Sequence, residues 1–394
     1  MTDDPARLSR RDLIAAAMGG GLVATAGGIL LPEGSAEAQR RRHQQVQGRP
    51  RQGGRIRAAC MSLSTADTLD PAKASLSSDY VRHFMLYNCL TELDRSLRAR
   101  PSLAESITSD DQTLWTIHLR RGVTFHNGKG LTSADVVYSL LRHKEPATAS
   151  KLAAIAEQFS AIRASGPLEL TIQLTGPNAD LPVMLAQSHF AIIPDGEKRF
   201  VSGNGTGPYK LVTFTPGVRT IGQRNRDYWK PGRPYLDEIE LIGIPDEVSR
   251  VNALLSGDIH MALAVNPRST GRITASARHL VRETPSALYT NVIMRQDQLP
   301  TSNPHFVAAI KYLMDRPLIK RALFRNYATI ANDHPIPPFH PYYRKGLPQT
   351  SLDLDKARWH LKKAGIGQTR LPIYASPAAE GSVDMASILQ EYGA

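Results

Sequence analysis

The sequence predicts a mixed α/β chain of more than one domain. Three observations carry that reading. Its 394 residues exceed one ordinary domain. Segments of two-residue and of helical hydrophobic period alternate from Gly53 onward. Short turn signals separate them, and no fixed-period repeat occurs. Apolar residues make up 41% and charged residues 21%, a balance that supplies a buried core and excludes a disordered chain.

From the N-terminus, Ser9-Arg10-Arg11-Asp12 precedes an uncharged stretch, Leu13 to Leu31, in which ten of nineteen residues are Gly or Ala. Hydrophobicity this weak argues against a membrane span. Paired arginines, a mildly apolar region and then Ala36-Glu37-Ala38 fit an export signal of the twin-arginine type, cleaved after Ala38. Arg10 and Arg11 are its distinguishing residues. Residues 39–57 carry seven of the arginines behind the +12 net charge and no acid. No aromatic residue interleaves them, so the run reads as a solvated basic linker, not a nucleic-acid surface.

Ile56 to Met61 reads as a first strand, and the polar Ser62, Ser64 and Thr65 follow it. Leu114 to Leu119 alternates as a half-buried strand, Arg121-Gly122 turns the chain, and Val123 to Phe125 resumes the extended pattern. Asn127-Gly128 supplies the positive φ angles of a tight turn. Thr132 and Asp135 have capping-box spacing, which starts a helix burying Val136, Val137, Leu140 and Leu141. Tyr209 to Phe214 and Val218 to Arg224 flank Pro216-Gly217, a pair suited to a type II turn and hence to a hairpin. Helices are expected from Asp246 to Ser256, with Val248, Val251, Leu254 and Leu255 as the stripe and Gly257 as cap. Others follow Asn303-Pro304, with Val307, Ile310 and Met314 on one side, and begin at Pro317 and near Asp353. The last of these carries Leu354, Ala357, Leu361 and Ala364, with Lys362 and Lys363 at its negative end. Val383 to Tyr392 is again helical in character.

Signals for catalysis are weak. No G-x-S-x-G, H-E-x-x-H, C-x-x-C or phosphate-loop sequence occurs. Gly203-Asn204-Gly205-Thr206-Gly207-Pro208 resembles a dinucleotide loop, yet proline replaces the third glycine and a strand follows, so a glycine-rich turn is expected. His118 and His126 read as surface or hydrogen-bonded histidines, not metal ligands. Trp115, Trp229 and Trp359 read as core anchors. Cys60 and Cys89 are expected as free thiols, because nothing fixes the Cα separation a bridge needs; one disulfide is the alternative. No cofactor and no metal site is expected. A site of dispersed carboxylates and histidines assembled by folding stays open as a secreted-enzyme reading.

Several blocks, in order, resemble family 5 extracellular solute-binding proteins, the peptide- and nickel-binding receptors of ABC importers. They are Leu103-Ala104-Glu105-Ser106, Gly122 to Gly128, Ser133 to Leu140, Gly205-Thr206-Gly207-Pro208-Tyr209 and Asn225-Arg226-Asp227-Tyr228-Trp229. Leu254 to Ile259, Met314-Asp315-Arg316, Asp355-Lys356-Ala357 and Ala364-Gly365 extend the resemblance to about residues 53–394. His260 stands where the family often has an acid, and Val307 where it often has arginine.

The resemblance implies an α/β, two-lobed periplasmic binding protein-like fold of type II with an extra subdomain. Residues 1–38 would be the signal peptide, 39–57 the linker, 58–95 and 196–282 the first lobe, and 96–195 the extra subdomain. Residues 283–394 would begin a second lobe left incomplete, because family members generally continue well past this length. A chain with one wall and a half is expected to bind its solute poorly. The implied partners are a peptide or other small solute, held in the interlobe cleft, and the ABC permease and ATPase complex in the inner membrane. The full-length receptor would be a periplasmic monomer that binds no nucleic acid and is no enzyme. Implied ligand contacts are Ser62, Ser64 and Thr65 from the first lobe and Tyr289 and Asn291 near the crossover.

Overall fold

The structure, a computed structural model, describes residues 50–366, 371–376 and 381–392. Arg10, Arg11 and the Ala38 cleavage site lie outside the described residues. Eleven strands are described: β1 Arg55–Cys60, β2 Thr91–Leu93, β3 Ala99–Pro101, β4 Ala104–Thr108, β5 Leu114–Leu119, β6 Phe159–Gly166, β7 Glu169–Leu174, β8 Tyr209–Thr215, β9 Arg219–Arg224, β10 Glu238–Gly243 and β11 Met261–Ala262. The longer helices among the described residues are α1 Ser77–Leu86, α2 Ser133–Leu141, α3 Glu247–Ser256, α4 Pro304–Leu313, α5 Arg316–Ala322, α6 Leu354–Lys363 and α7 Ser382–Tyr392.

A five-stranded mixed sheet has the order β11-β1-β10-β9-β8. In it β1 runs parallel to β10, with Arg55 opposite Glu238 and Cys60 opposite Gly243. Both faces of β1 are covered, as central parallel strands require. Ala58 and Cys60 enter one core with Leu69, Met85, Leu86, Tyr209 and Leu241. Ala59 enters another with Val251, Leu254, Ile259 and Ile273. The predicted hairpin is β8–β9, where Gly217 has φ +75° and the Val218 N–H bonds the Thr215 carbonyl at 3.0 Å.

A four-stranded antiparallel sheet, β4-β5-β7-β6, has its own core. The alternation of β5 is realised there, with Trp115, Ile117 and Leu119 buried and His118 on the outer face, 3.4 Å from Glu169. α2 covers this sheet through Val136 and Leu140, while Val137 and Leu141 pack at its margin. Its capping box is present. Asp135 accepts from the Thr132 N–H at 2.8 Å, from Lys129 at 2.6 Å and from the Asp195 N–H at 2.8 Å. Val123 to Phe125 adds only an isolated bridge, Thr124 to Gly130, in place of a strand. Of Asn127-Gly128 only Gly128 takes a positive φ, +89°, because the turn closes from the Gly128 N–H to the Phe125 carbonyl. The end of α2 is tied to the loop that follows β1 by a buried bidentate pair, Arg142 to Asp70, with both contacts at 2.9 Å.

Among the described residues no strand follows β11. α4 packs on α6, but it buries Phe306, Ala309 and Leu313, leaving Val307 and Ile310 half-buried. The two stripes have one period and lie one residue apart, so spacing could not choose between them; the larger Phe306 ring goes inside. On α3 Val248 is likewise exposed while Val251 and Leu254 are buried. α6 buries Ala357, and Trp359 is 52% exposed, which corrects its reading as a core anchor. Trp115 is buried and Trp229 packs against the same core.

Candidate functional site

The loop between β1 and α1 displays Ser62, Ser64 and Thr65. Strand-end loops with hydroxyls and free backbone groups are natural places to hold a polar ligand. Ser62 is partly committed to the fold. Its Oγ lies 2.6 Å from Ser77 Oγ and accepts from the Ser78 N–H at 3.3 Å, which serves the orphan donors at the start of α1. Ser64 Oγ accepts from the Ala66 N–H at 3.1 Å, and its carbonyl accepts from the Asp67 N–H at 2.9 Å, so a compact turn forms. Thr65 stands exposed at its tip. The β8–β9 turn supports the loop from behind. A Cβ on Gly217 would lie 3.2 Å from Ser64 C and Thr65 N, and the Gly217 N–H bonds Asp67 at 3.3 Å.

Beneath this loop lies a fully buried charge cluster. Arg82 on α1 donates to Asp67 at 3.1 Å, Asp79 at 2.7 Å, the Thr68 carbonyl at 3.1 Å and Thr220 at 3.0 Å, with the Phe214 ring 4.7 Å from its guanidinium carbon. Burial pushes the Asp79 carboxyl up, but N–H groups of Ser75, Leu76 and Thr68 and the Arg82 guanidinium outweigh it. The net effect holds Asp79 below the usual carboxylate range. One guanidinium thereby ties the loop, the helix and strand β9 together.

Tyr289 and Asn291 lie in irregular, exposed chain. No hydrogen bond or ion pair joins them to Ser62, Ser64 or Thr65 among the described residues, so the structure does not bring the two sets together. Sequence reasoning missed Asp67 and Arg82, whose charges gave no spacing signal.

The glycine-rich segment 203–208 is a packing device, not a nucleotide loop. A Cβ on Gly205 would fall 2.0 Å from the Leu86 carbonyl oxygen, and one on Gly207 2.4 Å from Leu86 C. The segment therefore lies directly on the end of α1. His126 Nε2 lies 3.0 Å from the Gly207 carbonyl oxygen, and Nδ1 lies 3.2 Å from the Gly203 carbonyl oxygen and 3.4 Å from the Gly205 nitrogen, so the ring is held on both edges by this segment. Burial lowers the pKa of His126, against the raising effect of its bonds to Gly207 and Gly203. Asn225 also donates to the Gly207 carbonyl, at 3.1 Å, and Asn88 accepts from Trp229 at 3.0 Å and Thr206 at 3.3 Å. Three separated sequence blocks thus meet at one junction.

Both cysteines are free thiols. Burial pushes Cys60 up to about 11 and Cys89 up to about 12, which removes the thiolate a nucleophile needs. A cavity of about 280 Å³ beside α1 is lined by His83, Phe84, Asn88, Cys89 and Glu92 among others. Burial pushes His83 down to about 3, so its ring is neutral there at neutral pH. Among the described residues, no group of three or more His, Cys, Asp or Glu side chains could hold a metal ion. No helix among them is long and apolar enough to cross a membrane.

Comparison with known proteins agrees with this architecture. Residues 98–392 match the family described as bacterial extracellular solute-binding proteins, family 5 Middle. The glutathione-binding protein GsiB of Escherichia coli is 30% identical over 311 residues, which is 77% of this chain and 60% of that protein. The chain thus spans about 60% of the length of the curated relatives it matches. Among solved structures, the periplasmic binding protein DppA from Helicobacter pylori, in complex with the peptide STSA, superposes with TM-score 0.72 at 23% identity. That match covers 87% of this chain and 72% of that one. AgaA of A. tumefaciens R10, bound to agropinic acid, superposes with TM-score 0.73 at 25% identity, covering 86% and 70%. The model match alone takes in most of the sequence, and the chain belongs to the family 5 bacterial extracellular solute-binding proteins.

Proposed function

We propose that this chain is the solute-binding part of an exported ABC-importer receptor, which takes peptides or similar-sized polar solutes between two lobes and hands them to a permease. The observation that carries the reading is the family match over residues 98–392. Similarity of fold to proteins solved with a peptide and with agropinic acid supports it. In this reading Ser62, Ser64 and Thr65 form part of one wall and Tyr289 and Asn291 part of the other. Hydroxyls and main-chain groups suit extended ligands, whose backbone is recognised while side chains vary. Calorimetry against a mixed tripeptide library that includes glutathione is expected to show binding, and mass spectrometry to recover the ligand unchanged. Turnover would favour the rival reading as a secreted enzyme; silence across the library would remove the receptor reading.

The same reading places the protein in the periplasm by twin-arginine export. Replacing Arg10 and Arg11 together by lysine is expected to leave the precursor in the cytoplasm. Periplasmic accumulation at the unaltered level in fractionated cells would exclude that route.

A further inference from the structure

We propose that His305 and His360 form a two-histidine site for a late first-row transition-metal dication, with Cu²⁺ the best fit. The site stands apart from the solute-binding loops. His305 lies in the first turn of α4 and His360 in α6, and their Nδ1 atoms are 3.0 Å apart. The two helices pack on each other and are each fixed at their start by a side-chain cap. Asn303 accepts from the His305 N–H at 2.9 Å, and Asp353 from the Lys356 N–H at 2.9 Å. Aromatic rings frame the pair. Trp359 meets His305 at 5.8 Å and His360 at 4.7 Å between ring centroids, both edge to face, and Tyr312 stacks on His360 at 5.6 Å. Both imidazoles are half-buried, which leaves a path for a hydrated ion.

The nitrogen separation is compatible with two adjacent coordination positions. With metal–nitrogen bonds of about 2.0–2.1 Å, neighbouring positions of a square plane or octahedron are about 2.9 Å apart, and those of a tetrahedron about 3.4 Å. The 3.0 Å separation, at present the length of the hydrogen bond that joins the two rings, lies close to the former. Tetragonal nitrogen and oxygen coordination is the preference of Cu²⁺ and Ni²⁺, and Cu²⁺ stands highest in the affinity series. In the empty site one Nδ1–H donates to the other Nδ1. On binding, the donor ring moves its proton to Nε2, and small χ2 rotations aim both lone pairs at the ion, with no net proton release. Water fills the remaining positions. Two lysines sit close by, Lys356 at 5.4 Å from the Tyr312 ring and Lys363 at 5.6 Å from the Trp359 ring. Their charge opposes the dication and keeps the affinity modest.

Electron paramagnetic resonance of the full chain with one equivalent of Cu²⁺ at neutral pH is expected to show a tetragonal signal with two imidazole nitrogens in the equatorial plane. Competition titration should give one site of micromolar strength. His305→Gln and His360→Gln, which retain a hydrogen-bonding side chain, should each weaken it at least tenfold and lose one nitrogen from the spectrum. A parent spectrum without two equatorial nitrogens would overturn the assignment whatever the variants do. So would a two-nitrogen signal that survives in both variants. Solute binding should be unchanged in these variants, so failure here leaves the receptor reading untouched.

Discussion

Replacing Arg82 by alanine is expected to cost about 3–5 kcal/mol of folding stability, the cost of removing one partner from a buried ion cluster. The side chains of Arg82 and Asp67 are fully buried and that of Asp79 nearly so. The substitution leaves two carboxylates facing each other without a counter-charge, and it strips the Thr68 carbonyl and Thr220 of a donor. Urea unfolding of the variant should show a midpoint well below the parent's, with the slope unchanged if the native state stays compact. The loop of Ser62, Ser64 and Thr65 should loosen as well, because Asp67 holds the turn at Gly217 only while its own position is fixed. A loss smaller than about 1 kcal/mol, the scale of an exposed pair, would show that the cluster is not the clamp described.

The second large effect is acid sensitivity centred on His83. Burial is the main cause that pushes its pKa down to about 3, and both ring nitrogens are buried without a hydrogen-bond partner. The ring is neutral in the folded protein, whereas the unfolded chain protonates near the ordinary value of about 6.5. Below that value the unfolded state holds more protons, so stability rises with pH. The His83 contribution is fully present above about 6.5 and is lost as pH falls toward 3, at about 1.4 kcal/mol per pH unit. His143, pushed down to about 4 by burial and then by Arg142, adds to the slope in the upper part of that window. His83→Met removes the titrating ring without leaving a hydrogen bond broken. Urea midpoints measured from pH 4.5 to 7 should then lose about one proton's worth of slope relative to the parent. An unaltered slope would assign the acid sensitivity to other groups.

Local patterns made much of this fold legible. The period of β5, the Thr132–Asp135 cap of α2, the Pro216-Gly217 hairpin and the αL glycine after α3 all follow from forces acting within a few residues of each other. The stripe of α4 shows where such reasoning stops. Which of two equally spaced faces turns inward depends on what packs against it, and the partner α6 begins 50 residues after the helix starts. The site was less legible still. Ser62, Ser64 and Thr65 could be nominated as candidates because they follow β1. Their supports, Asp67, Arg82 and the Gly217 turn, come from three separated segments and carry no spacing rule. The glycine-rich block was recognisable as a turn, but its reason, contact with the end of α1, appears only when residues 86 and 207 are brought together.

The parallel pairing of β1 with β10 also dictates an order of assembly. β1 is the first of the described strands to be made, yet its two neighbours, β10 and β11, lie beyond residue 237. The four strands that form the antiparallel sheet are complete by residue 174 and find all their partners within that span. As the chain leaves the ribosome, that sheet can close while β1 waits unpaired, with its backbone donors and acceptors exposed. Closing so long a loop is entropically slow, and an unpaired strand is the part of a nascent chain most open to pairing with the wrong neighbour. The arginines of β1 at positions 55 and 57 guard against that. Both are charges on the waiting strand, and Arg55 finds Glu238 and Glu240 only when β10 arrives. Arg55, whose ion pairs complete the sheet, therefore also keeps the waiting strand soluble until β10 exists.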